Sequence, residues 1–248
     1  MMNRLLSMII FAGFSQGVSA LSLLSTPFPP GTRVAIYIGT FSPLHHRHEE
    51  IVEGLLASGG VDYVVVVAND VNLHKPDAVP AEHRIEMLWR RYRSHPKVLV
   101  LQRASEFAFP RVGNITRFLR ERVGAAGLVG VMGLDSVESA RNRLAARLVP
   151  RAEWLITSAR PLSEIRRYNS VAGVPAHYLE VPAVSDPRST EIRKKLANRD
   201  LTGLPIDDSI LGYIAEHPDL YAARPPSTPA QRARFCGRQL LGLLKSFR

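Results

Sequence analysis

From Arg33 onward, short Val- and Ile-rich runs alternate with longer stretches whose apolar residues recur near a 3.6-residue period. Arg33–Gly39, Asp62–Ala68, Val98–Gln102, Gly127–Met132 and Trp154–Thr157 are short and apolar, the pattern of strands buried on both faces of a parallel sheet. Residues 46–58, 82–94, 112–123 and 135–147 between them read as helices; a strand at His177–Val181 and a helix from Thr190 to about Ala197 follow. Strand alternating with helix predicts an α/β fold, a doubly wound parallel sheet with right-handed crossovers. Ligands of such sheets bind outside the carboxyl ends of the strands. No internal repeat is present.

The chain of 248 residues is long enough for one large domain or two small ones. Pro27-Phe28-Pro29-Pro30 and Pro225-Pro226-Ser227-Thr228-Pro229 punctuate it, leaving residues 31–223 as the expected globular body. The single cysteine, Cys236, excludes an internal disulfide framework and a Cys-based zinc site. The net charge of +10 is unevenly spread, since Arg224, Arg232, Arg234, Arg238, Lys245 and Arg248 have no acidic residue after Asp219 to balance them. No RNA-binding aromatic motif or zinc-finger spacing accompanies that charge, so a nucleic-acid partner is not expected. In the basic tail, 224–248, Phe235, Leu240, Leu243, Leu244 and Phe247 fit one face of an amphipathic helix. A membrane-surface contact competes there with docking on the domain and with fraying. Residues 1–20 have a basic start, an apolar run from Leu5 to Phe14 and the small residues Val18-Ser19-Ala20, which fits a cleavable secretory signal.

The sharpest local feature closes the first strand. Gly39-Thr40-Phe41-Ser42-Pro43-Leu44-His45-His46-Arg47-His48 joins it to a helical pattern carrying Ile51, Val52, Leu55 and Leu56. A strand, a glycine-containing turn and a helix start aim backbone N–H groups at phosphate. His45 and His48 then stand where anionic oxygens would lie. Much later, Ser189, Thr190 and Arg193 open another helical pattern, where N–H groups and an Arg fork suit the β- and γ-phosphates. The alternative for that segment is an ordinary Ser/Thr cap with an exposed Arg.

These two segments carry a family resemblance. Gly39-x-Phe41-x-Pro43-x-His45-x-x-His48 resembles the G-x-F-x-P-x-H-x-x-H motif of the class I nucleotidylyltransferases, and Ser189-Thr190-Glu191-Ile192-Arg193 resembles the S-T-x-I-R part of their second signature. Asn72-Leu73-His74-Lys75-Pro76, His83-Arg84-Ile85-Glu86-Met87-Leu88, Gly133-Leu134-Asp135-Ser136, Arg160-Pro161, Ile210-Leu211-Gly212-Tyr213-Ile214 and Leu220-Tyr221 are similar to landmarks of the nicotinate/nicotinamide mononucleotide adenylyltransferases. The resemblance covers most of residues 33–221. It implies a Rossmann-like nucleotidylyltransferase fold with a small C-terminal helical part. It also implies an ATP-dependent enzyme of NAD biosynthesis that joins AMP to nicotinate or nicotinamide mononucleotide and releases pyrophosphate.

The chemistry suits these residues. The acceptor phosphate is already anionic near neutral pH, so adenylyl transfer needs positioning and charge neutralisation, with no general base. By the resemblance, His45, His48 and Arg193 are the catalytic residues, and Gly39, Thr40, Phe41, Lys75, Gly133, Asp135, Ser189 and Thr190 bind ATP. Gly39 and Phe41 would hold the turn, and Gly39 would let the backbone approach the ligand. Mg²⁺ is implied as the companion of the triphosphate, with no protein ligand assigned. His45 and His48 as a metal pair, with or without His46, or as purely structural residues, are the competing readings. Asp135 as a helix cap and Arg160 as a surface residue are others.

The pattern also departs from the family. Ser42 stands where bacterial members usually carry Asp, Arg47 where they carry Gly, and Pro187-Arg188 where the second signature begins. Arg47 is expected beside the site, assisting phosphate binding or obstructing it. No aromatic residue lies between Val137 and Leu144, where a Trp usually stacks on the pyridine ring, and Trp89 and Trp154 look like core residues. Two rival functions follow: a transferase with another phosphorylated acceptor, and a non-catalytic nucleotide-binding protein. The compartment is contested between export, which residues 1–20 favour, and the cytoplasm, which ATP chemistry favours. The sequence assigns no oligomeric state.

Overall fold

Among the described residues, seven strands form one sheet in the order β3-β2-β1-β4-β5-β7-β6. The computed structural model describes residues 23–69, 78–108, 111–138, 153–184 and 189–222. Residues 1–20, Lys75, Arg188, most of the expected helix at 135–147 and the tail from 224 lie outside them. The strands are β1 (Val34–Gly39), β2 (Tyr63–Ala68), β3 (Val98–Leu99), β4 (Leu128–Gly133), β5 (Glu153–Ser158), β6 (Ser170–Val171) and β7 (Val174–Glu180). The described α-helices are α1 (His46–Ala57), α2 (Ala81–Tyr92), α3 (Arg111–Val123), α4 (Leu134–Glu138), α5 (Ser189–Ala197) and α6 (Asp208–Glu216).

All pairings are parallel except β6 with β7. That exception is a tight hairpin, with Val171 opposite Val174 and the turn residues Ala172 and Gly173 both at positive φ. Such a turn matches the twist of its strands. Val64, Val65, Val66 and Val67 of β2 are buried, as expected for a strand covered on both sides. Each such Val contributes about 1.5–3 kcal/mol by leaving water.

The main apolar cluster joins β1, β2, β3 and β4 to α1, α2, α3, α5 and α6. A smaller one gathers Leu134, Val137, Trp154, Ile156 and Val171. Trp154 is therefore a core residue, and half-buried Trp89 packs against the main cluster.

The chain steps outward from β1 to β2 and β3, then returns to lay β4 on the other side of β1. This reversal makes the carboxyl ends of β1 and β4 the topological switch point, the expected ligand crevice of a doubly wound sheet. Gly39 ends β1 and Gly133 ends β4. Fold and motif thus converge on the same edge.

Candidate active site

The turn after β1 is built from beneath. Gly39 has no room for a side chain, because a Cβ there would fall 2.6–3.0 Å from three ring atoms of Phe41. Phe41 adopts φ 47° and is 1% exposed, so its ring lies under the turn. There it meets Tyr37 and His48 edge-on, at centroid distances of 5.4 and 5.0 Å. The bare Cα of Gly39 accommodates that ring, so Gly39 and Phe41 hold the turn together. Ser42 is also buried, and its Oγ accepts a hydrogen bond from the Val79 amide at 3.2 Å.

Arg84 stabilises the same turn from α2. Its buried guanidinium donates to the carbonyls of Val79 (2.8 Å) and Thr40 (2.9 Å) and to Asn69 Oδ1 (3.1 Å). The Asn69 amide in turn donates to Gly39 O at 2.9 Å. One cation therefore ties the exits of β1 and β2 to α2. Sequence reasoning saw Arg84 only as part of a motif; nothing in local periodicity marks a buried Arg.

His45 caps α1 in an extended conformation and is 4% exposed. Its backbone amide donates to His48 Nδ1 at 3.3 Å. That bond makes Nδ1 an acceptor, so in the neutral ring the proton sits on Nε2. The two imidazoles stack with centroids 3.8 Å apart and a 31° tilt. His45 Nε2 lies 3.0 Å from Ser189 Oγ, joining the two distant signatures directly.

Ser189 and Thr190 open α5, and Arg193 follows within its first turns. Arg193 Nη1 donates to the carbonyl of Ser42 at 3.2 Å, so α5 is laced back to the first turn. The N-termini of α1 and α5 are thereby brought together. Their helix dipoles favour an anion at that junction, although the His46 amide at the start of α1 already donates to Pro205 O at 2.9 Å. Among the described residues no group of three His, Cys, Asp or Glu converges as a metal cage.

Gly133 has open space where a side chain would project, and exposed Asp135 stands in the first turn of α4 at the same sheet edge. Arg160 Nη2 contacts Glu138 Oε1 at 3.3 Å, linking the exit of β5 to α4. Arg47 departs from expectation. It turns away from the histidine pair to Glu50 and to the carbonyls of Val181 and Pro182. It therefore neither fills nor obstructs the junction.

Known proteins match this architecture. The cytidylyltransferase-like family model covers residues 36–195, more than half of the chain. The probable nicotinate-nucleotide adenylyltransferase of Leifsonia xyli subsp. xyli (strain CTCB07) is 27% identical over 75% of this chain and 92% of its own length. The nicotinate-nucleotide adenylyltransferase of Bacillus subtilis (strain 168) is 23% identical over 75% of this chain and 96% of its own. The Plasmodium falciparum nicotinic acid mononucleotide adenylyltransferase, solved as a complex with NaAD, superposes with a TM-score of 0.51 at 17% identity, covering 77% of this chain and 97% of that one. The same enzyme complexed with APC gives a TM-score of 0.52 at 18% identity, with the same coverage. The chain belongs to the cytidylyltransferase-like family of nucleotidylyltransferases, and its relatives there carry the name nicotinate-nucleotide adenylyltransferase.

Proposed function

We propose that this protein transfers AMP from ATP to nicotinate mononucleotide, releasing pyrophosphate and forming the dinucleotide. The observation that carries the reading is the contact between His45 Nε2 and Ser189 Oγ at 3.0 Å, which brings the starts of α1 and α5 to one junction. The names of the relatives favour the nicotinate over the nicotinamide acceptor.

An oxygen of the acceptor phosphate attacks the α-phosphorus of ATP, and the bond from that phosphorus to the pyrophosphate oxygen breaks. No proton needs to be removed from the nucleophile. The departing pyrophosphate gains negative charge, and fixed donors stabilise it without reorganising. His48, the first amide of α5, Ser189, Thr190 and the Arg193 guanidinium would supply the donors at the junction, the first amide of α1 being held by Pro205 O at 2.9 Å. Mg²⁺ enters with the triphosphate as part of the substrate, screening its crowded charge. Gly133 and Asp135 flank the crevice at the end of β4, on the side where ATP would lie.

Pyrophosphate release and dinucleotide mass measured with ATP and Mg²⁺ test this, with nicotinate mononucleotide, nicotinamide mononucleotide and other phosphorylated acceptors compared. CTP in place of ATP serves as a second nucleotide. Turnover with ATP and nicotinate mononucleotide is expected; no turnover with either pyridine mononucleotide overturns the proposal.

A further inference from the structure

We propose that the cavity between α2, α6 and the exit of β3 is a second anion site, which takes a nucleoside phosphate. The inference does not depend on the reaction assigned above.

Glu86, Trp89, Arg90 and Arg93 recur at i, i+3, i+4 and i+7, so they form one stripe along α2 and its C-cap. The stripe walls a cavity of about 530 Å³, within the range of ordinary small-molecule sites. Gln102 and Arg103, just beyond β3, make a second wall, and Ser209 and Gly212 of α6 make a third. At Gly212 a Cβ would meet nothing within 4 Å, so α6 leaves the space open there. No residue of the His45–Ser189 junction lines the cavity.

Three guanidiniums line this space, and they are not equivalent. Arg90 is committed: Nη1 and Nη2 donate to the two oxygens of Glu216 at 3.1 and 2.9 Å, and Nε donates to Glu86 at 3.1 Å. Its Cζ also lies 4.6 Å from the centroid of the Tyr213 ring. Glu86, the carboxylate of the described lining, is thereby neutralised. Arg93 and Arg103 are exposed, and among the described residues neither side chain has a hydrogen bond or an ion pair. Two unneutralised cations on separate walls of one cavity leave a positive potential that an anion relieves.

The same walls say which anion. Guanidinium forks match phosphate oxygens two at a time. Half-buried Trp89 offers ring surface to the cavity, which suits an aromatic base. Gln102 and Ser209 add neutral hydrogen-bonding groups. Phosphates at the arginines and a base at Trp89 describe a nucleoside phosphate. The chain's own tail is a poor occupant, since no acidic side chain follows Asp219.

The test uses the full chain and ADP, with bound ADP counted by titration calorimetry in wild type and in Arg93→Ala/Arg103→Ala. The double variant is expected to bind one ADP fewer per chain, and each single variant to weaken that site about tenfold or more. Inorganic pyrophosphate should compete for the site more weakly than ADP, and adenosine should not bind there. Trp154→Phe leaves Trp89 as the sole tryptophan, whose emission should change with ADP only while both arginines are present. If Trp154→Phe does not fold, the calorimetric count decides. An equal ADP count in wild type and the double variant overturns the site, as does Trp89 emission that ADP leaves unchanged. Pyrophosphate bound as tightly as ADP overturns the nucleoside, and adenosine bound as tightly as ADP overturns the role of the arginines.

Discussion

His45 and Ser189 stand 144 positions apart in the chain, yet His45 Nε2 and Ser189 Oγ are separated by 3.0 Å. The contact ties the cap of α1 to the first residue of α5, so the two halves of the nucleotide motif become one surface. Removing Ser189 Oγ breaks its contact with His45 and takes away one of the proposed phosphate donors. Ser189→Ala is expected to reduce kcat/KM for ATP by about 0.5–1.5 kcal/mol, the net worth of one hydrogen bond. Initial-rate kinetics at varied ATP check this, with the acceptor held saturating.

His48 Nδ1 is occupied by the His45 amide, which places the proton of the neutral ring on Nε2. If His48 donates to the developing charge as proposed, His48→Ala costs about 10²–10³ in kcat, as at comparable sites. Single-turnover measurement of dinucleotide formation should show the loss in the chemical step, with ATP affinity changed far less. Retained turnover in this variant refutes the catalytic role of His48.

Gly39→Ala drives a methyl into the Phe41 ring. Overpacking of this kind costs about 1–3 kcal/mol, read as a lower urea midpoint at unchanged slope. Phe41→Leu shortens the obstructing side chain, so the double variant Gly39→Ala/Phe41→Leu should be more stable than the sum of the two single losses. A strictly additive result would place the cost of Gly39→Ala elsewhere.

Arg84→Ala leaves the carbonyls of Thr40 and Val79 and the Asn69 amide oxygen without their shared donor. Unsatisfied buried acceptors cost about 1–3 kcal/mol each, so a loss of about 3 kcal/mol or more is expected in chemical denaturation. Because Arg84 acts through the turn, variants that still fold should also bind ATP more weakly.

Asp207 caps α6, accepting from the Ser209 amide at 2.9 Å, and its carboxylate faces Arg91 Nε at 3.4 Å. Burial pushes its pKa up, but the Ser209 hydroxyl and amide, with Arg91 and His46 nearby, outweigh burial and hold it below the ordinary 3.8. A carboxyl lowered on folding stabilises above its unfolded value and loses that contribution as pH falls through its folded value. Asp207→Ala should therefore cost about 1 kcal/mol near neutrality. The difference from wild type should shrink below pH 3.8, as urea midpoints across the acid range would show.

Much of this molecule was legible in one dimension. Continuous apolar runs located β1, β2, β4 and β5 to within a residue or two, since central parallel strands are apolar throughout. The Val98–Gln102 run shortens to β3 at Val98–Leu99, where only Val64 and Val65 of β2 offer partners. The two-residue β6 escaped notice because a strand that short has no period. Expected helix starts at 46, 82, 112 and 190 fall within a residue of those observed.

The sequence alone determined the alternation, and through it the sheet, the crevice and the phosphate motifs. Period and spacing are local properties, and hydrophobic burial enforces them wherever the chain packs. Only the tertiary structure decided where individual polar side chains point. Arg47, beside the site in sequence, turns to carbonyls 134 and 135 positions away. Gly39 serves the Phe41 ring, and buried Arg84 holds the exits of two strands. A long side chain takes whichever distant acceptors folding brings within its reach. That choice is made by three-dimensional proximity, which no one-dimensional pattern encodes.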